Sequence, residues 1–133
     1  MESALQEFVR NRANERCEYC HFPEAFSELP FQIGHIVARK HGGTSTHENL
    51  ALACSWCNRF KGPNLSGIDP ETQCVVRLFD PRHQVWDEHF SWQGALVSGK
   101  TDVGRATVHT LNFNRGDTVA VRALLMAEGV YPL

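Results

Sequence analysis

A chain of 133 residues, 42% apolar and 21% charged, has the composition of a single packed globular domain and excludes fibrous and disordered classes. No run approaches the ~18 apolar residues of a membrane span, and the polar, acidic opening at residues 1–3 is unlike a signal peptide, so the expected setting is the cytoplasm, without a membrane partner. A formal charge of −2 and a pI near 6.4 exclude a protein that coats nucleic acid through a global basic excess.

Leu5, Phe8, Val9 and Ala13 recur at spacings of three and four, which predicts an amphipathic helix within residues 1–16. Cys17-x-x-Cys20 comes next, and His21-Phe22-Pro23 leaves it with a proline that bars further helix. Residues 24–30 read as a loop. The rest of the chain is organised around residues 31–61, FQIGHIVARKHGGTSTHENLALACSWCNRFK. A β-type run carries His35, Gly42-Gly43 turns it, Asn49-Leu50-Ala51-Leu52 returns it, and a short helix begins at Cys54-x-x-Cys57-Asn58. That order predicts a hairpin followed by a helix. His35, late in the first strand, and Asn58, on the helix, then converge on a point where a phosphate sits beside a metal ion.

Gly62-Pro63 stops the helix, and turn signals continue to Pro70. Residues 73–79 read as a strand, and Trp86, Phe90 and Trp92 alternate on one face of a half-buried strand spanning residues 86–92. That face reads as core in preference to a base-stacking platform. Gln93-Gly94 turns into Ala95-Leu96-Val97. Thr101-Asp102 caps a helix running to Leu111, and a second starts within residues 114–117 and ends near Glu128, with Gly129 beyond it. The expected organisation is α+β in one domain, 1–133: an N-terminal helix (1–16), cysteine knuckles with the hairpin and helix (17–62), and a β-hairpin with a helical tail (70–133).

Five cysteines in a chain expected in reducing cytosol favour metal over disulfides. The two Cys-x-x-Cys steps, Cys17/Cys20 and Cys54/Cys57, have the paired spacing of a closed four-thiolate site, which suits a structural Zn²⁺. Disulfides, unligated buried thiols, or a redox role for Cys17-x-x-Cys20 are the alternatives. Cys74, outside the pairs, reads as a core residue. Between residues 31 and 62, Arg39, Lys40, Arg59 and Lys61 face only Glu48, a local basic excess that suits modest, salt-sensitive contact with phosphates.

The series His35-Ile36, Gly42-Gly43, Asn49-Leu50, Cys54-x-x-Cys57-Asn58 and Lys61-Gly62 resembles the HNH endonuclease signature, and GIDP, VRLF, DPR, WDEHF and GRATV resemble the tails of small stand-alone bacterial HNH proteins. The resemblance implies a ββα-metal (His-Me finger) core, DNA as partner, and Mg²⁺ or another divalent cation for catalysis. By position it makes His35 the general base, Asn49 the residue that steadies the hairpin loop, and Asn58 a ligand of the catalytic metal. Arg39, Lys40, Arg59 and Lys61 would contact the nucleic acid backbone. A neutral imidazole suits removal of a proton from water near pH 7, and an amide oxygen suits a hard cation.

One position departs from the family pattern: Gly34 stands where an aspartate or glutamate usually supplies the charged metal ligand. This leaves three outcomes: substrate phosphate and waters complete the cation's shell, His41 or His47 joins it, or catalysis is lost. Gly34→Glu is then expected to raise metal-dependent nicking. The reading is a metal-dependent DNA endonuclease or nickase, and its rival is a catalytically inactive zinc module that binds nucleic acid or protein.

Overall fold

The computed structural model describes residues 1–132, which divide into two compact units: Met1–Leu65 with Asp80–Gln84, and Ser66–Phe79 with Val85–Leu133. The first boundary falls just past Gly62-Pro63, where the helix signals end.

In the first unit, α1 (Ser3–Arg12) buries Val9 completely. Two of its arginines anchor the backbone of later segments. Arg12 donates to the carbonyls of His47 (2.9 Å) and Leu50 (2.8 Å), and Arg10 donates to Glu24 and, at 3.0 Å, to the Phe31 carbonyl. Glu24–Phe26, expected as loop, makes a single 3-10 turn.

Strands β1 (Gln32–His35) and β2 (Leu50–Ala53) form the antiparallel hairpin, with Gly34 opposite Ala51 and His35 opposite Leu50. Every β2 residue is buried, so the Leu-Ala-Leu-Ala run is the floor on which α1 and α2 (Ser55–Lys61) pack. A helix of seven residues has little stability alone. It is started by Cys54, whose sulfur accepts the Cys57 N–H, and its buried face carries Cys57 and Lys61.

The second unit has its own core, with Phe90, Phe113, Leu111 and Val97 all nearly inaccessible. It contains the hairpins β3 (Ser66–Ile68) with β4 (Val75–Arg77) and β5 (Phe90–Gln93) with β6 (Leu96–Gly99), and the helices α3 (Trp86–His89), α4 (Asp102–Thr110) and α5 (Gly116–Ala127). Thr101 caps α4 by accepting the Gly104 N–H, and Gly129 lies beyond α5 at φ +75°, as the sequence suggests.

Three expectations are corrected in this unit. The single strand expected at residues 86–92 is one helical turn followed by β5. Trp86 and Phe90 are four apart, so both meet one core face in a helix as well as in a strand, and Asp87 and Glu88 in the first turn favour the helix. The residues before Pro70 are not all turn, since β3 pairs there with β4. Cys74 is exposed, not core, because it sits in the turn before β4, where its N–H donates to Thr72 Oγ1 at 3.2 Å. Trp86 packs at a tilt against Phe90 and Trp92, 5.0 and 5.7 Å between ring centres; Trp86 and Phe90 are core and Trp92 is half-buried beside them. Among the described residues no helix is long and apolar enough to cross a membrane.

Candidate active site and metal centre

The two knuckles converge. Cys20 N–H points at Cys17 Sγ (3.4 Å) and Cys57 N–H at Cys54 Sγ (3.3 Å), the backbone support that thiolates require. The four sulfurs are buried and lie within 4.8 Å of one another. A tetrahedral site with metal–sulfur bonds near ~2.3 Å has sulfur–sulfur edges of about 3.8 Å, and Cys20 and Cys54 stand 3.8 Å apart. All four are free thiols.

Burial pushes the Cys17 and Cys57 thiols well up, while hydrogen bonds from Cys17, Cys20 and Cys57 pull Cys54 far down. The four cysteines are placed to bind a metal ion, and an all-thiolate set of this size suits zinc. Beside them, Glu18 accepts the Leu52 N–H (2.8 Å) and pairs with Arg82, which holds the first knuckle against β2.

The hairpin loop is tied by one side chain. Asn49 Oδ1 accepts the Val37 N–H (2.9 Å), and its Nδ2 donates to the carbonyls of Val37 (2.9 Å) and Thr44 (2.8 Å). This amide clamp leaves Asn49 facing the loop. At the end of β1 the half-buried His35 reaches Ser45 Oγ through Nε2 at 2.9 Å. Partial burial, then the charges of Arg39 and Lys61, lower its pKa from the ordinary histidine value, which favours the neutral imidazole.

His35 and Asn58 line the same open cleft of ≈ 320 Å³, together with Gly34, Arg39 and Lys61. Asn58 Nδ2 donates to Gln32 Oε1. Its Oδ1 lies against Gly34, so close that a Cβ on Gly34 would stand 2.8 Å from that oxygen. The amide fills the space that a side chain at position 34 would need.

Residues 17–64 match the family model described as HNH endonuclease. That segment is an HNH domain. The likeness is confined to that segment, and the HNH family consists generally of nucleases. No curated protein and no solved structure matches the chain.

Within the HNH domain the four expected basic contacts separate. Arg39 is exposed, lines the cleft and reaches Ser45 at 3.3 Å. Lys40 is exposed beside it. Arg59 lies over the Trp56 ring at 5.9 Å and does not line the cleft. Lys61 departs furthest from a backbone-contacting residue, because it is 5% exposed and its ammonium donates to the carbonyls of Ile36 (2.8 Å) and His35 (3.3 Å). Its charge still acts on the cleft, but its donors hold the end of β1.

Neither His41 nor His47 lines the cleft, and His47 meets the Phe8 ring edge-on at 5.4 Å. Sequence reasoning passed over Gln32, Ser45 and Glu18. Gln32 was findable, since strand alternation puts it on the face of Gly34. Ser45 and Glu18 carry no signal of their own in the sequence.

The donor set does not fit a resident catalytic cation. Among the described residues no carboxylate lines the cleft, and the four cysteines are the one group of three or more His, Cys, Asp or Glu side chains placed to hold a metal. Mg²⁺ gives up its waters reluctantly and is ordinarily held by carboxylates.

Proposed function

We propose that the protein is an HNH-type DNA endonuclease or nickase of the cytoplasm, dependent on a divalent ion, with a structural zinc at Cys17, Cys20, Cys54 and Cys57. The observation that carries this reading is the shared cleft: a half-buried imidazole held toward its neutral form and an amide on α2 border one space open to solvent.

In this reading His35 takes a proton from the attacking water, whose oxygen forms a bond to phosphorus as the bond to the 3′ oxygen breaks. Arg39 and Lys40 hold the backbone beside the scissile linkage. Asn49 keeps the loop in the shape that presents His35, and Lys61 fixes the end of its strand. Asn58 offers a neutral oxygen, so activity is weaker than a site with a carboxylate at position 34 would give.

The rival reading, a catalytically inactive zinc module, has one observation in its favour, the glycine at position 34. Incubation of the zinc-loaded protein with supercoiled plasmid and Mg²⁺, Mn²⁺ or Ni²⁺ separates the two. Nicked or linear product supports the nuclease, while plasmid binding with no product under any of the ions supports the rival.

A further inference from the structure

We infer that the cleft of the free protein is a phosphate site and not a cation site, so that a divalent ion joins only after the nucleic acid backbone has brought negative charge. This rests on the proposed nuclease reading for its substrate class, but on the cleft's own composition for the order of binding.

The lining supplies two full positive charges, Arg39 and Lys61, and no carboxylate. The guanidinium of Arg39 is exposed, and a planar fork of donors matches phosphate oxygens. Lys61 is fixed by the carbonyls of His35 and Ile36 and contributes its charge from a buried position, where screening by salt is weak. A free divalent ion entering this space meets two cations and, on the chain's side, neutral donors.

The glycine is integrated into this arrangement. Asn58 Oδ1 occupies the space beside it, and the donor side of the same amide is tied to Gln32. A carboxylate introduced at position 34 must first displace Asn58 Oδ1 from that space. Gln32 is therefore a positioning residue: it fixes which end of the Asn58 amide faces Gly34.

The test uses the full zinc-loaded chain, with the amide and histidine ring resonances of the cleft followed by NMR. Inorganic phosphate, and separately a short oligothymidine, are titrated with no other divalent ion present. The expected result is saturable shifts at Gly34, His35 and Arg39 in both titrations, weakened about threefold to fivefold by Arg39→Gln, the range of one exposed charge contact. Mn²⁺ added alone leaves the Gly34 and Asn58 signals sharp and broadens them once oligothymidine is bound. In Gly34→Asp, checked for zinc content and folding, Mn²⁺ alone broadens them. In Gln32→Ala the Asn58 side-chain amide signals move while His35 still responds to phosphate.

Broadening of Gly34 and Asn58 by Mn²⁺ alone in the parent protein overturns the proposal, as does the absence of any shift with phosphate. The two readings fail separately. Anion-first binding without plasmid cleavage removes the nuclease and supports the phosphate site. Cation-first binding with cleavage intact removes the order of binding and keeps the nuclease.

Discussion

Replacing Asn49 tests the hairpin through its best-defined side chain. The amide makes three hydrogen bonds to the loop backbone, two to Val37 and one to Thr44. Each is worth about 1 kcal/mol net, so Asn49→Ala should cost about 2–3 kcal/mol of local stability. The site is part-buried, and water recovers some of the loss. Asn49→Asp sharpens the test. It keeps an acceptor for the Val37 N–H but turns the two-bond donor into an oxygen facing two carbonyls, so it should be no better than alanine.

Native-state hydrogen exchange of the Val37 amide measures this directly, because exchange through local opening reports the opening free energy. The expectation is faster exchange by roughly 30-fold to 150-fold in both variants, the factor that corresponds to ~2–3 kcal/mol. If Asn49 served only as a turn former, aspartate would do as well. Parent-like exchange in Asn49→Asp would therefore refute the clamp.

Chelation of the structural metal should raise exchange first in α2 and β2, since a seven-residue α2 has little stability of its own and a structural zinc contributes on the order of 10 kcal/mol to folding in small domains. Unchanged protection of α2 in metal-free protein would contradict the assignment of the cysteines. Nicking should depend on pH through His35. With its pKa lowered by burial, Arg39 and Lys61, the imidazole is neutral over a wider range, so the acid limb should lie below the ordinary value of ~6.5. The same shift bears on stability. As pH falls, the unfolded chain takes up this proton before the folded one, so stability contributed by the neutral imidazole is present above the unfolded pKa and declines as pH falls toward the folded one. Lys61→Met should move the acid limb upward by removing one of the two charges, and should destabilise the hairpin by leaving the His35 and Ile36 carbonyls without their buried donor; an unmoved limb would show that Lys61 does not act on His35.

The hairpin and helix were legible because their signals are local and redundant. The strand run, the Gly42-Gly43 turn and the helical start at Cys54-x-x-Cys57-Asn58 follow one another in a single short stretch, and the paired knuckles have the spacing of one four-thiolate site. Trp86 misled because a spacing of four satisfies both a strand and a helical turn. Cys74 misled because nothing in its sequence neighbourhood says that the chain turns there before β4 begins. Lys61 looked like a surface cation, and only the packing of α2 on the hairpin shows that its ammonium lies over backbone carbonyls. The relation of Gly34 to Asn58 was half visible. The missing carboxylate can be read from one residue, but the amide that fills its space appears only when strand and helix are placed together.

The central claim, that His35 faces a cleft in which a phosphodiester is cut, is tested most directly by single-turnover cleavage of labelled duplex DNA by the parent protein and His35→Ala. The His35 ring bonds the exposed Ser45 and anchors no buried group through that bond, so the variant should keep its zinc and its fold. The account predicts a cleavage rate about 10²-fold to 10⁴-fold lower in the variant, the usual contribution of a general base. Equal rates in the two proteins would contradict it.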